Sequence, residues 1–171
     1  MKIKILDFIK KVGMLLGIYI NIGKLTSQKD LREFLQQLYP VKIDKKLIRF
    51  GAKGDGGYVI PDDLDGIEAL FSPGVGSKQD FDFECANNGM KVFMADASVD
   101  GPVDNHENFV FTKKYIGALD NQEFVSIEAW VNSANLKDES ELMLQMDIEG
   151  YEYEVIFSIP TKVMKKFRII I

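Results

Sequence analysis

Leu142-Met143-Leu144-Gln145-Met146-Asp147-Ile148-Glu149-Gly150-Tyr151-Glu152-Tyr153-Glu154-Val155 is the stretch that decides the fold of this chain. Its mostly apolar run, 142–146, ends in two carboxylates and a glycine, the pattern of a buried parallel strand that breaks at the sheet edge. Residues 151–157 lack Gly and Pro, and Glu152 and Glu154 fall in a first turn, where carboxylates meet the positive end of a helix dipole. A strand, an acidic turn and a helix make an α/β unit. In open α/β sheets ligands bind just beyond the carboxyl ends of the strands, which assigns Asp147 and Glu149 to a site. Two residues apart on an extended segment, they are expected to face the same side. The rival assignment is that they cap the helix after Gly150.

The same grammar recurs upstream. Residues 67–71 read as a strand, followed by Ser72-Pro73-Gly74-Val75-Gly76-Ser77, a helix over 80–88 with Gly89 as its C-cap, and a strand over 91–95 that ends in Asp96-Ala97-Ser98. The glycines and Asp96 are separated by about the 20 residues expected between a nucleotide-binding loop and the carboxylate that grips a ribose. A third strand is expected over 108–115 and a helix over 124–133, with Trp130 as a packing aromatic; 142–146 is then the fourth strand and 167–171 the start of a fifth. Residues 48–61 form two short strands around Gly54-Asp55-Gly56-Gly57, good hairpin chemistry that also leaves the backbone open to close approach by a ligand. Asp62-Asp63-Leu64-Asp65 contains an Asp-x-Asp pattern able to hold a metal and a nucleotide-sugar diphosphate, although such triplets are more often solvated turns. His106 sits in a polar loop, where solvent exposure is the default and proton transfer the lesser alternative.

With 171 residues and 46% apolar content the chain suits one globular domain with a sizeable core. One cysteine, Cys85, and one histidine exclude an internal disulfide and a Cys/His zinc site, and fit a reducing cytoplasm. Residues 1–53 carry twelve Lys+Arg against four Asp+Glu, whereas the remainder carries nine against twenty-two. An acidic body argues against nucleic acid as the main ligand, and a basic leading segment can meet an anionic surface. Apolar residues at helical spacing from Ile5 to Tyr19 make 1–40 an amphipathic helical segment ahead of a domain over 41–171, with a second helix over 30–38 ended by Pro40. Packing on its own domain is the favoured reading of the first helix; the other is a peripheral membrane contact through residues 1–25, at the inner face of the membrane. Residues 12–22 are too short to span a bilayer.

Gln145-Met146-Asp147-Ile148-Glu149-Gly150-Tyr151-Glu152-Tyr153-Glu154-Val155-Ile156 resembles the Lys-x-Asp-x-Glu-Gly-x-Glu signature of the FkbM family of S-adenosylmethionine-dependent methyltransferases. The resemblance extends to Ser72-Pro73-Gly74-Val75-Gly76 at the glycine-rich first motif, Asp96 at the second-strand acid, and Ser126-Ile127-Glu128-Ala129-Trp130 at the helix before the signature strand. Arg49-Phe50-Gly51 with Asp55-Gly56-Gly57-Tyr58 is similar to a leader in one branch of that family. The matched region covers roughly residues 48–171.

This resemblance implies a Rossmann-like, mostly parallel sheet of the class I methyltransferase type, with the chain stopping before the sheet is complete. It implies S-adenosyl-L-methionine as cofactor and a small-molecule or glycan hydroxyl as methyl acceptor; no metal-ligating residues are assigned. Gly74 and Gly76 would let the backbone approach the cofactor; Asp96 would accept from the ribose hydroxyls and Ala97 would flank the adenine. Ser72 is counted with the cofactor-binding residues, at a position where many methyltransferases carry an acid. Asp55, Gly57 and Tyr58 would form a wall or lid, and Asp147 and Glu149 the acceptor side, as catalytic residues. Rivals are a non-catalytic nucleotide-binding module, a nucleotide-sugar glycosyltransferase resting on Asp63 and Asp65, and a dinucleotide oxidoreductase, whose third glycine is replaced by Gln79.

Overall fold

A computed structural model describes residues 26–171, together with Ile9, Val12, Gly13, Leu15 and Leu16. The expected amphipathic helix from Ile5 to Tyr19, and the membrane contact through residues 1–25, lie outside the described residues except at those five positions. The chain divides into two compact units, Met1–Ile43 and Asp44–Ile171. In the first unit, helix α1 (Gln28–Gln37) starts where the Ser27 hydroxyl accepts the Asp30 N–H at 3.1 Å. That bond satisfies one of the amide donors left free at a helix start.

The second unit opens with an antiparallel hairpin, β1 (Leu47–Gly51) and β2 (Gly57–Pro61), in which Phe50 pairs with Tyr58 and Gly51 with Gly57. The Arg49 guanidinium ties its loop, donating to the carbonyls of Ala52, Gly54 and Gly57 at 2.9, 2.8 and 3.2 Å. The chain then alternates strand and helix: β3 (Ile67–Pro73), α2 (Asp80–Asn87), β4 (Lys91–Ala95), β5 (Phe109–Thr112), a short pair β6 (Tyr115–Ile116) and β7 (Phe124–Val125), α3 (Ile127–Ser133), β8 (Glu141–Leu144), α4 (Glu152–Ser158), α5 (Thr161–Met164) and β9 (Phe167–Ile170). Strands β5-β4-β3-β8-β9 form one five-stranded sheet in that order, and every pairing in it is parallel. The fold is α/β and Rossmann-like.

Both faces of this sheet are covered, which is why β3, β4 and β8 read as continuous apolar runs. One face sends Phe71, Leu142 and Leu144 into a core with Trp130, Val155 and Val163 from α3, α4 and α5. The other sends Leu70, Met94 and Met143 against Phe50 and Ile60 of the hairpin and Phe81 and Cys85 of α2. By strand alternation Ser72 and Gln145 share this second face, and so meet the hairpin and α2.

Three expected elements differ. The strand expected over 108–115 ends at Thr112, and Lys113 and Lys114 separate it from β6. The helix expected over 124–133 begins only at Ile127, because Phe124 and Val125 pair in parallel with Tyr115 and Ile116. Ser126 enforces the start, its hydroxyl accepting the Ala129 N–H at 3.2 Å and its own N–H going to Asp120 at 2.8 Å. The fourth strand is Glu141–Leu144, though the Gln145 and Met146 N–H groups continue the ladder to the carbonyls of Phe71 and Ile171, both at 3.0 Å.

Candidate functional site

Strand order runs outward from β3 to β4 and β5 on one side and from β8 to β9 on the other, so the direction in which strands are added to the sheet reverses between β3 and β8. Loops leaving that pair diverge and open a crevice at their carboxyl ends. Gly74 lies on one lip at φ 88°, and a Cβ there would fall 2.0 Å from the Asp147 carbonyl oxygen on the other. Only glycine fits this contact. Two cavities flank it, of about 500 Å³ and about 210 Å³, and both are lined by Gly74, Gly76 and Asp147.

The larger cavity is bounded by Val75, Asp96, Ser98, Tyr115, Ile116, Phe124, Ile148, Glu149 and Tyr151. Asp96 anchors its glycine loop, one carboxylate oxygen accepting the Val75 N–H at 3.0 Å and the other the Ser98 N–H and hydroxyl at 2.7 and 2.6 Å. A carboxylate has roughly four lone-pair sites, so about one is left for a ligand hydroxyl. Opposite stand Tyr115 and Phe124, ring centroids 5.6 Å apart, the apolar wall supplied by β6 and β7. The sequence reading assigned these aromatics to a strand end and a helix. Two aromatic–β-branched dipeptides, Tyr115-Ile116 and Phe124-Val125, enclosing Gly117 and Asp120-Asn121 were the available signal.

The smaller cavity lies under the hairpin, lined by Asp55, Tyr58, Lys78, Phe81, Asp82 and Gln145 among others. Lys78 reaches from the glycine loop to Asp55 at 3.0 Å, and this ammonium holds the Asp55 carboxyl below its usual range. Buried wiring continues from Ser72, whose hydroxyl donates to Gln145 Oε1 at 2.9 Å, to Gln145 Nε2, which donates to the Tyr58 hydroxyl at 3.1 Å. Burial, and then the charge of Asp147, push the Tyr58 phenol upward, so it is neutral at physiological pH.

Asp82 is a site residue that sequence reasoning missed. Only 7% exposed, it sits on the inward stripe of α2 with Cys85 and Ala86. Burial pushes its carboxyl up to about 6. The Ser72 hydroxyl beside it offsets part of that rise, but its single proton is directed to Gln145, and Asp82 Oδ1 has no partner among the described residues. Spacing three before Cys85 and four before Ala86 was the available clue.

A pKa above the ordinary 3.8 means that the folded protein holds this proton more tightly than the unfolded chain. The cost of ionising Asp82 is therefore absent below about pH 4, grows between about pH 4 and 6, and is complete above that. Asp82→Asn should accordingly gain on the order of 2 kcal/mol at neutral pH, and the gain should vanish near pH 4. Urea titrations of both proteins across that range check it. The ionisable groups around Asp82 are Tyr58, Asp55, Lys78 and Asp147 at the cavity and Glu84 and Cys85 on its own helix.

The turn after β8 differs from the sequence reading. Asp147 and Glu149 do not lie on an extended strand: β8 ends at Leu144 and Glu149 is left-handed, φ 58°. Strand alternation therefore does not set their directions. Neither caps α4, whose N-cap residue, Tyr151, makes no side-chain cap bond. Glu152 pins the turn instead, one oxygen accepting the Ile148 and Gly150 N–H groups at 2.9 and 3.2 Å. Backbone donors, its own N–H first, hold the Glu152 carboxyl below its usual range. Asp147 lines both cavities and Glu149 only the larger.

Of the other residues singled out from the sequence, Ser72, Gly57 and Ala97 line neither cavity. Ser72 is buried wiring beneath the smaller one, Ala97 is half-buried beside Asp96, and Gly57 serves the hairpin, since a Cβ there would meet the Ala52 carbonyl at 1.9 Å. Gly56 takes the lining position next to it. His106 accepts the Asn108 N–H at 3.1 Å, away from both cavities. Asp63 pairs with Lys45 at 2.7 Å and lies 3.8 Å from the Arg168 guanidinium. Among the described residues no group of three metal-ligating side chains occurs, and no helix is long and apolar enough to cross a membrane. No family model, no curated protein and no solved structure matches this chain.

Proposed function

We propose that the unit Asp44–Ile171 is an S-adenosylmethionine-dependent methyltransferase acting on a hydroxyl of a sugar or glycan-related acceptor. The observation that carries this reading is the Gly74–Asp147 contact, where the two lips of the crevice meet backbone to backbone with a cavity on either side, the two unequal in size, at the switch point of the sheet. A ligand with a nucleoside at one end and an amino acid at the other suits that shape. The strand order β5-β4-β3-β8-β9 follows the 3-2-1-4-5 order of doubly wound nucleotide-binding sheets, and the Asp147-Ile148-Glu149-Gly150-Tyr151-Glu152 turn carries the signature resemblance.

S-Adenosylmethionine, when bound, supplies an electrophilic methyl group on its sulfonium. Asp96 offers a lone pair to a ribose hydroxyl while keeping the glycine loop in place. Tyr115 and Phe124 supply an aromatic wall against which a base would pack. Gly74 lets the glycine loop close against the Asp147 backbone between the two cavities. Asp147 would orient the acceptor hydroxyl and take its proton as that oxygen becomes the nucleophile. Most of the rate is positioning, which the contact between the two lips makes rigid.

A larger cavity with a ribose-binding acid also suits a dinucleotide. Titration calorimetry with S-adenosylhomocysteine and with NAD separates the two. The homocysteine analogue is expected to bind and NAD is not; NAD binding without the analogue overturns the proposal.

A further inference from the structure

The smaller cavity contains a charge that the folded chain leaves unanswered. Asp82 is more than nine-tenths buried, lines the cavity, and keeps Oδ1 without a partner among the described residues. Burying an ionisable carboxyl without a hydrogen-bond partner costs free energy, and such a group at a cavity wall is a mark of ligand recognition. The surroundings specify the sign of the ligand. Asp147 and Asp82 both line the cavity, while its lysine, Lys78, is committed to Asp55. Ser72, beneath the cavity near the end of β3, is neutral and has its proton directed to Gln145. A cation therefore completes this cavity, and about 210 Å³ admits a small aliphatic one.

We propose that Asp82 is the anchor for the α-ammonium of the amino-acid end of S-adenosylmethionine, with the carboxyl reaching from α2 past Ser72 into the smaller cavity. The assignment rests on the methyltransferase reading and adds the residue that tells the full cofactor from a bare nucleoside. Three ammonium donors match the vacant Oδ1, and charge-assisted bonds of this kind are the strong ones. Ligand charge also offsets the burial of the carboxylate, so binding favours the ionised form of Asp82.

S-Adenosylhomocysteine and 5′-methylthioadenosine, which lacks the amino-acid end, separate this role from the rest of the site. Near neutral pH the wild-type protein should bind the first at least about tenfold more tightly than the second. Asp82→Asn and Asp82→Ser should each weaken S-adenosylhomocysteine by about that factor and leave 5′-methylthioadenosine within about twofold, which also reports that the variants fold. Unchanged S-adenosylhomocysteine affinity in Asp82→Asn, or equal loss of both ligands in both variants, overturns the assignment alone. A wild-type protein that binds neither ligand overturns the methyltransferase reading and the assignment with it.

Discussion

Gly74→Ala should destabilise the protein by roughly 3 kcal/mol and remove S-adenosylhomocysteine binding. Two costs add. A φ of 88° is a left-handed conformation that alanine adopts only under strain, and the new Cβ would stand 2.0 Å from the Asp147 carbonyl oxygen and 3.0 Å from its carbon. Neither lip can retreat cheaply. The Gly74 N–H is bonded to the Ala95 carbonyl at 3.0 Å, and the segment before Asp147 is held by the Gln145 and Met146 N–H groups, each at 3.0 Å from its acceptor. Relief therefore means breaking sheet hydrogen bonds or pushing apart the walls shared by both cavities. Two alanine variants isolate the parts. At Gly89, φ 87°, a Cβ meets nothing within 4 Å, so Gly89→Ala should show the conformational cost alone, about 1 kcal/mol. At Gly76 the nearest atom is 3.9 Å away, and Gly76→Ala should be close to neutral in stability. Urea unfolding of the three variants measures this; Gly74→Ala as stable as Gly76→Ala would refute the close contact.

The sequence disclosed the parts of this fold that are made by burial. Strands β3, β4 and β8 are covered on both faces, which forces apolar runs and leaves glycines and acids only where the runs end. Gly74, Gly76, Asp96 and Asp147 were legible for that reason, because they follow the strands at the edge where side chains stop being buried. Features made by the meeting of distant segments were not legible. β6 and β7 are two residues each, too short for any periodicity to register. Asp82 belongs to a helix that also carries Asp80 and Glu84, and only the packing of α2 buries Asp82 while leaving Asp80 exposed and Glu84 half-buried, bonded to the Gly51 N–H. The left-handed Glu149 needed knowledge of how Glu152 folds back on the turn, a local bond that strand periodicity cannot express.

Asp147→Asn should lower turnover by about 10²- to 10³-fold on the methyltransferase reading, with S-adenosylhomocysteine affinity held within about threefold. The contact that shapes the site uses the Asp147 backbone carbonyl, which asparagine retains, so the close approach at Gly74 should survive. Only the charge and the proton acceptor are lost. Activity alone would not separate a base from a merely structural acid, but Tyr58 supplies a second readout. Its phenol is raised by burial first and by the Asp147 charge next, so removing that charge should let Tyr58 ionise at lower pH. Difference absorbance between wild type and Asp147→Asn, with Tyr58→Phe to identify the signal, follows that shift without any substrate. A lowered Tyr58 transition together with lost turnover places the Asp147 charge beside the reacting centre and makes it the base. The same spectral shift with full turnover means that the charge is there and is not used; the proton then goes elsewhere, and Glu149, the other turn acid on the larger cavity, is the residue to replace next. An unshifted Tyr58 would be the more damaging result, because it would separate the hairpin from the turn after β8 and undo the smaller cavity that they are held to share.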